Sequence, residues 1–291
     1  MWLRGRQAVL FLLPAALVFG LFAVYPTIRG IVISFTDAQG ISGGRYVGLA
    51  NYRRMLHDAT FSDALRNTLM FTAVIVVVQN VGGLAVAAWL RSQPRVRAVA
   101  QSSLLLPSMM AFVAVGYVWS FIYSPLGGPL NSMLRLLGLG SLQQVWLGDQ
   151  RTALLAISAS SIWMFLGYTA IIYLAGYLSI PGEVIEAAQI DGAGGWGRFR
   201  QVEWPLLAPA VTVSVTLSVI GTLRIFELPL VMTRGGPAGA TETLSLFVYD
   251  TSFSSFEFGY GTAIATVLLL VTVLLAVVVT TVLRRREVAM G

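Results

Sequence analysis

The sequence predicts an all-α integral membrane protein with six transmembrane helices. Hydrophobic residues make up 56% of the chain, charged residues only 11%, and the mean hydropathy is +0.77, whereas soluble domains contain about 25% charged residues. The apolar runs reach the ~20 residues that a helix needs to cross a bilayer, and they lack the two-residue alternation of an outer-membrane barrel. Because backbone polar groups in lipid must be satisfied within the spanning segment, the spans are predicted to be helices.

The six predicted spans belong to a single transmembrane domain that comprises residues 1–291. In chain order they are about 8–33, 68–90, 99–123, 153–178, 206–232 and 261–283. The first span follows Arg4 and Arg6 as a signal peptide would, but no A-x-A-like cleavage site follows its apolar run, so we expect it to be retained. The three long outer loops are rich in turn formers and are expected to contain interfacial helices.

Arginine supplies all nineteen basic residues, and its distribution predicts the orientation of the chain. Ten arginines cluster in four short segments, which alternate with three longer loops that hold seven. The clusters lie in residues 1–7, 91–98, 181–203 and 284–291, and the loops are residues 36–66, 122–152 and 228–258. By the positive-inside rule the clusters face the cytoplasm, so both termini are expected on the cytoplasmic side of a bacterial-type inner membrane. These clusters explain the net charge of +6, and no nucleic-acid partner is expected.

The segment between the fourth and fifth spans, residues 181–205, is unusually polar for its position. A proline followed by acidic residues suits the start of a short helix, and the glycines of residues 192–197 predict a break after it. Apolar residues at every third position from Trp196 to Val202 predict a second short helix that ends before Pro205. The residues alone leave two interpretations open: a docking element for a partner protein, or an amphipathic linker that rests on lipid headgroups.

The loop resembles one family of membrane transport proteins. Its matching residues are Glu186-Ala187-Ala188, Asp191-Gly192-Ala193, Phe199 and Pro205-Leu206-Leu207 with Pro209. They are similar to the EAA loop, the cytoplasmic coupling element of permease subunits in binding-protein-dependent ABC importers. The extended form of the motif resembles most the carbohydrate permeases of the maltose and glycerol-3-phosphate uptake type, and further stretches extend the resemblance over nearly the whole chain.

The resemblance implies the type I ABC importer permease fold and a set of partners. A second permease subunit, expected to form a heterodimer with this chain, would complete the pathway. Two ABC ATPase subunits would bind ATP and Mg²⁺, and an extracellular binding protein would deliver a sugar. The chain has no G-x-x-x-x-G-K-[ST] phosphate loop, so we expect a transport subunit that is not an enzyme and holds no cofactor of its own.

The resemblance also implies which loop residues couple the chain to the ATPase. They are Glu186, Ala187, Ala188, Asp191 and Gly192. Glu186 is expected to make a charged contact in a cleft of the ATPase, and Gly192 to permit the turn that keeps the loop compact. The alternative for Glu186 is a solvated carboxylate near a helix start.

Candidate substrate-pathway residues lie on the two spans that flank the loop, because the resemblance implies that these spans line the translocation site. An uncharged sugar is held by hydrogen bonds and aromatic faces and needs no ion pair within the membrane. The fourth span carries polar and aromatic residues at helical spacing, and the fifth carries a stripe of small and polar residues. The six candidates are Ser161, Phe165, Tyr168, Ser218, Gly221 and Thr222. The alternative role for such residues is close packing between membrane helices.

Four other polar residues near the spans allow two interpretations each. Gln79 and Asn80 are expected to form hydrogen bonds between helices, the alternative being the pathway itself. Arg224 and Glu227 are expected to form a structural ion pair, the alternative being contact with substrate or binding protein. His57, the only histidine, is expected to be exposed.

The rival function is that of an ion-coupled secondary transporter. Such proteins usually need ionisable residues or broken helices near the middle of the membrane. The predicted spans contain few central carboxylates and no paired Gly/Pro breaks, which favours the importer. No catalytic residue or metal site is expected, because the chain has no cysteine, no H-E-x-x-H motif and no cluster of His and Asp residues.

Overall fold

A computed structural model describes residues 5–40 and 43–288, with side chains for residues 11–40 and 43–285. Within these residues the regular structure is helical, apart from an isolated antiparallel bridge between Thr36 and Tyr46. The all-α prediction is confirmed. The chain forms two compact units: one contains the residues up to Phe61 together with Phe247–Leu269, and the other contains Ser62–Leu246 together with the residues from Leu270 onward.

The α-helices are numbered in chain order. They are α1 (Gly5–Phe19), α2 (Tyr25–Ile33), α3 (Ala50–His57), α4 (Ala59–Ser92), α5 (Arg97–Leu105), α6 (Phe112–Ile122), α7 (Pro129–Leu136), α8 (Ala153–Ser179), α9 (Gly182–Ile190), α10 (Gly195–Arg198), α11 (Trp204–Leu206), α12 (Ala208–Leu223), α13 (Glu227–Met232), α14 (Leu244–Tyr249) and α15 (Phe258–Val288). Tighter 3₁₀ turns occur at Leu106–Met109 and Gly140–Leu142, and wider π-helical turns at Gly20–Val24, Phe199–Glu203 and Asp250–Ser254.

In the first unit, α1 continues through a π-helical turn into α2 without a break. Pro26 lies just after this turn and has no N–H to bond the carbonyl one turn back, which accounts for the widened turn. Residues Phe11–Ile33 are long and apolar enough to cross a membrane. The first predicted span is therefore confirmed as a continuous helical path.

A polar cluster joins α3 to the start of α15 within the first unit. Arg54 pairs with Glu257 and lies over the ring of Tyr260, whose hydroxyl donates to Asp58 Oδ2 at 2.7 Å. Partial burial raises the pKa of the Asp58 carboxyl, but hydrogen bonds from Tyr260 and from two backbone N–H groups at the start of α4 outweigh it, so the pKa lies below its ordinary value. A lowered folded-state pKa stabilises the fold above the ordinary value of 3.8, and this stabilisation is lost as the pH falls through the folded-state pKa. The neighbouring His57 is exposed, as predicted.

Four predicted spans are continuous and two are bent. The continuous ones are Phe11–Ile33, Ala59–Ser92, Ala153–Ser179 and Phe258–Arg285. The third predicted span consists of Arg97–Met109 and Phe112–Ile122, which meet at 96°, and Gly195–Leu206 meets α12 at 68°. Six spans result when each bent pair is counted as one.

The spans predicted over 99–123 and 206–232 contain breaks that the sequence had not indicated. In the third span, Met110 and Ala111 are extended, with ψ of 149° and 134°. Pro107 precedes this break, and its missing N–H and fixed φ favour a tight turn over a continued helix. In the fifth span, α12 ends at Leu223, and α13 begins only at Glu227. The second short helix of the polar loop also differs from prediction, because it continues through Pro205 to Leu206.

In the second unit, close helix packing depends on glycines at particular contacts. A Cβ on Gly167 of α8 would overlap the carbonyl oxygen of Leu104 in α5, and one on Gly83 of α4 would lie 3.0 Å from the Cβ of Thr169. Gly221 of α12, in contrast, has no atom within 4 Å of the place a Cβ would take. Gly167 therefore allows α5 to cross α8, while Gly221 faces open space.

We predict that Gly167→Ala destabilises the protein and that Gly221→Ala does not. The added methyl on Gly167 meets backbone, which cannot rotate away, so the loss should be about 1–3 kcal/mol, the usual cost of overpacking. At Gly221 alanine favours the helix by up to about 1 kcal/mol. Thermal unfolding of the purified variants in one detergent compares them directly, and equal midpoints would contradict the proposed close contact.

Candidate functional site

Helices α8, α12 and α13 of the second unit line a cavity of about 450 Å³. Its size lies within the usual range for ligand pockets, about 300–1,000 Å³. All six residues predicted for the substrate pathway line this cavity: Ser161, Phe165, Tyr168, Ser218, Gly221 and Thr222. The two stripes that were read separately from the sequence therefore face one common space.

The hydroxyl groups of these residues differ in whether they already form hydrogen bonds within the protein. The Ser218 hydroxyl accepts from Gln79 at 3.4 Å and from Asn80 at 3.3 Å, and Thr222 donates to the backbone oxygen of Ser218 at 2.8 Å. The hydroxyls of Ser161 and Tyr168 form no hydrogen bond with any residue that the structure describes. Ser161 and Tyr168 therefore have the hydroxyls most available to a bound molecule.

A buried amide network joins α4, α8 and α12 beside the cavity. Asn80 accepts hydrogen bonds from the hydroxyls of Tyr173 at 2.9 Å and Ser214 at 2.7 Å, and Gln79 donates to Thr169 at 2.7 Å. The prediction that these two amides link helices is confirmed. Gln79 also lines the cavity. Its position therefore suits both interpretations, a hydrogen bond between helices and a place in the pathway.

Arg224 and Glu227 lie at the break between α12 and α13, and both line the cavity. Among the described residues there is no ion pair between them. The predicted structural pair was therefore wrong. Three residues after Arg224 the chain has already left α12, so the helical spacing on which that prediction relied does not apply.

Sequence reasoning missed several residues of the cavity wall. Phe112 comes from α6 and packs its ring against Phe165, with centroids 5.8 Å apart. Thr169 and Ser214 also line the wall. Ser214 belongs to the polar stripe of the fifth span that the sequence had indicated, whereas Phe112 follows the unpredicted break at Met110 and carried no sequence signal.

The polar loop forms the predicted helix–turn–helix. Helix α9 ends in a hydrogen-bonded cap in which Gly192 N–H donates to Gln189 O at 3.1 Å and Ala193 N–H donates to Ala188 O at 3.0 Å. Gly192 has φ of 78°, a left-handed conformation that glycine adopts without steric cost. The chain then turns into α10, where the rings of Trp196 and Phe199 stack with centroids 5.4 Å apart.

The five predicted coupling residues do not all face outward. Glu186, Ala187, Asp191 and Gly192 are exposed, whereas Ala188 is only 7% exposed. Ile185, one turn before Ala188, is also buried, so one side of α9 packs on the protein itself. The other side remains free, and it includes Glu186, which forms no ion pair within the described residues.

Residues 79–288 match the family described as "Binding-protein-dependent transport system inner membrane component". The chain belongs to this family. The permease is 37% identical over 262 residues to a probable ABC transporter permease protein of Pyrococcus horikoshii, with 90% of each chain covered. It is 32% identical over 281 residues to a probable starch degradation products transport system permease protein of Thermoanaerobacterium thermosulfurigenes, with 97% of the permease and 95% of the relative covered.

The fold of the permease also matches a solved structure. A chain of a bacterial alginate ABC transporter in complex with alginate pentasaccharide-bound periplasmic protein superimposes with a TM-score of 0.83, at 21% identity, over 97% of the permease and 96% of that chain. The type I importer permease fold is confirmed, and the permease is a multi-pass membrane component.

The family favours the importer over the ion-coupled secondary transporter. The broken third and fifth spans had removed one argument against the secondary transporter, namely the lack of helix breaks. Among the described residues, moreover, no group of three or more His, Cys, Asp or Glu side chains is placed to hold a metal ion.

We predict that Asn80→Leu destabilises the permease more than Tyr173→Phe does. Leucine has a similar size but removes the acceptor of two buried hydroxyls, whereas Tyr173→Phe removes one hydrogen bond. Hydrogen bonds between membrane helices average about 0.6 kcal/mol and reach about 1.7 kcal/mol, so the expected losses are about 1–3 and about 0.6 kcal/mol. Thermal unfolding in detergent measures both, and an Asn80→Leu variant as stable as the parent would contradict a structural role for the amide.

Proposed function

We propose that the permease imports a sugar or related carbohydrate as the membrane subunit of an ATP-driven ABC importer. The observation that carries this proposal is the convergence of hydroxyls and aromatic rings on one cavity in a chain of this family. A neutral carbohydrate presents hydroxyls and apolar ring faces, which suit the free hydroxyls of Ser161 and Tyr168 and the rings of Phe112 and Phe165. The name of the relative from Thermoanaerobacterium, a permease for starch degradation products, supports the same class of substrate.

The proposed assembly contains partners that supply what this chain lacks. An extracellular binding protein delivers the sugar, a second permease subunit forms the other half of the pathway in a heterodimer, and two ATPase subunits bind and hydrolyse ATP with Mg²⁺. The alginate transporter, whose permease fold the chain shares, was solved with a periplasmic protein, which supports the delivery step. The permease itself contributes binding surfaces and movement, and no bond is broken on its residues.

The proposed orientation puts both termini and the loop of residues 181–205 in the cytoplasm. The arginine clusters support it by the positive-inside rule. The loop then lies on the side where ATP is available to an ATPase, while α3 and α7 belong to outer loops. Lipid surrounds the spans, many of whose large apolar side chains are exposed in the single chain.

Helix α9 is the proposed contact with the ATPase. Its exposed side carries Glu186 and Ala187, and a small side chain lets a partner approach the backbone closely. The cap at Gly192 fixes the end of α9, so a push on the helix moves the loop as one piece. Closure of the ATPase subunits on ATP would then be passed to the spans that line the cavity and change the side from which the cavity opens.

We predict that a cysteine at Ala187 cross-links to the ATPase and that one at Ala188 does not. The two residues are neighbours of the same type, but Ala187 is exposed and Ala188 is buried against the permease. The chain contains no cysteine, so each variant reports on one position. Short thiol-reactive cross-linkers applied to the assembled complex, followed by mass spectrometry, identify the partner. Cross-links from Ala187 to lipid alone, or equal ATPase cross-links from both positions, would contradict docking on the free side of α9.

We also predict that Gly221→Phe blocks import without preventing assembly. Gly221 lines the cavity and has open space beside it, so a ring there occupies the pathway without displacing a neighbour. Bulky substitutions at Ser218 are less informative, because they also break its bonds to Gln79 and Asn80. Uptake of a panel of radiolabelled neutral mono- and disaccharides should fall by roughly tenfold or more, as expected when a pocket is filled.

Gly221→Ala is the control for this prediction, because a methyl group leaves most of the cavity open. The variant should import at close to the rate of the parent. Normal uptake by Gly221→Phe in a fully assembled complex would place the pathway elsewhere in the protein.

A further inference from the structure

In the second unit, two arginines from different helices contact one buried carboxylate. Glu203, in the π-helical turn after α10, is 5% exposed. Its Oε1 atom lies 2.9 Å from Nη1 of Arg91, in the last turn of α4, and 3.0 Å from Nε of Arg198, at the end of α10. The guanidinium of Arg91 also lies over the ring of Tyr177 in α8, 5.2 Å from its centroid.

This triad is unusual for a loop contact because the carboxylate is almost fully removed from water. The side chain of Glu203 is 7% exposed, while those of Arg91 and Arg198 are 27% and 29% exposed. A buried charge that loses its partner is strongly destabilised, so the attachment of the loop to α4 resists separation. Surface ion pairs between mobile side chains offer no such resistance.

The triad lies where movement of the loop can reach the cavity. From Arg91, α4 continues without a break to Gln79, which lines the cavity and bonds to Thr169 and Ser218. An α-helix rises about 1.5 Å per residue, so this segment is a rigid rod of about 18 Å. The other end of the triad, Glu203, belongs to the chain segment that continues through α11 into α12.

We propose that Glu203 is a positioning residue that fastens the coupling loop to α4 through Arg91, so that displacement of the loop also moves the α4 wall of the cavity. This inference rests on the proposed function. Docking of the ATPase involves the free side of α9, whereas the triad transmits the resulting movement. Loss of the triad should therefore uncouple the cavity from nucleotide while the ATPase remains bound.

The sharpest variant is Arg91→Gln. It removes the contact with α4 but leaves Glu203 paired with Arg198, so no buried carboxylate is left without a cation. Arg95→Gln is the matched control, because Arg95 lies four residues after Arg91 in the short loop that follows α4, is exposed and forms no ion pair among the described residues. Arg198→Gln removes the contact between Glu203 and the cation of the loop. Its matched control is Arg200→Gln, because Arg200 is exposed and forms no ion pair among the described residues.

The measurement uses the full complex reconstituted in liposomes with its ATPase subunits. A single cysteine at Leu217, which lines the cavity and is 45% exposed, reports the opening of the cavity through its rate of reaction with a maleimide. ATP with orthovanadate, which traps the ATPase subunits closed, should change this rate in the otherwise unaltered complex. Arg91→Gln should reduce that nucleotide-dependent change by roughly two- to thirtyfold, the range of coupling effects of single residues, and Arg95→Gln should leave it intact.

Further variants separate positioning from general structure. Glu203→Gln should reduce the response as Arg91→Gln does, and Glu203→Asp, which keeps the charge, should restore part of it. Combining Arg91→Gln with Glu203→Gln should add no further loss, because both changes break the same contact. In all of these variants the cysteine at Ala187 should still cross-link to the ATPase.

Three results would overturn the inference. A full nucleotide response in Arg91→Gln would show that the contact transmits nothing. Loss of the Ala187 cross-link together with the response would show that the triad only holds the loop in shape. Absence of any response or cross-link in the parent complex would overturn the proposed function, and the inference with it, and this result differs from the other two because it appears without any change to the triad.

Discussion

The hydrogen bonds of Asn80 hold together the helices on which the cavity depends. A polar atom buried in lipid or protein without a partner costs a few kcal/mol, so α4, α8 and α12 are confined to arrangements in which Tyr173, Ser214 and Asn80 remain bonded. Glycine at position 83 permits the close approach of α4 to α8 that these bonds require. The positions of the helices around the cavity thus follow from the need of a few buried polar groups for hydrogen-bond partners. Apolar side chains pack between these groups.

The breaks in the third and fifth spans shape the cavity wall and the connection of the polar loop to α12. A straight helix of about 20 residues would cross the bilayer and present one uniform face. Instead, α12 ends at Leu223, and the chain exposes Arg224 and Glu227 at the cavity wall before α13 begins. At its other end α12 follows the loop through α11 with a bend of 68°. One continuous segment therefore connects a buried ion triad to the cavity, with a bend between them.

Much of this architecture was predictable because it depends on local patterns. The four continuous spans, the helix–turn–helix and the polar faces that carry Ser161 and Ser218 follow from hydropathy and helical period, which act within a few turns. That the two faces belong to one pathway was implied by the family resemblance. The inward side of Ala188 and the triad of Glu203 were not predictable, because each is decided by partners distant in sequence. The break at Met110 follows Pro107, but this single proline did not mark where the helix would end. Nothing near Glu203 indicates that its cation is Arg91, at the end of another span. The EAA resemblance marked the loop as a contact but gave no indication of which side of α9 is free.

The distribution of hydroxyls in the cavity suits its proposed role as a transport pathway. Ser218 and Thr222 are occupied by bonds within the protein, and Ser161 and Tyr168 keep hydroxyls that are not engaged by described residues. A pathway must bind its cargo well enough to admit it and weakly enough to release it after one conformational change. When most polar groups of the cavity wall are committed to contacts between helices, both demands are met, because these groups are then unavailable to retain the cargo. In the proposed importer, strong selection among sugars belongs to the binding protein that delivers them, and the permease is free to favour release.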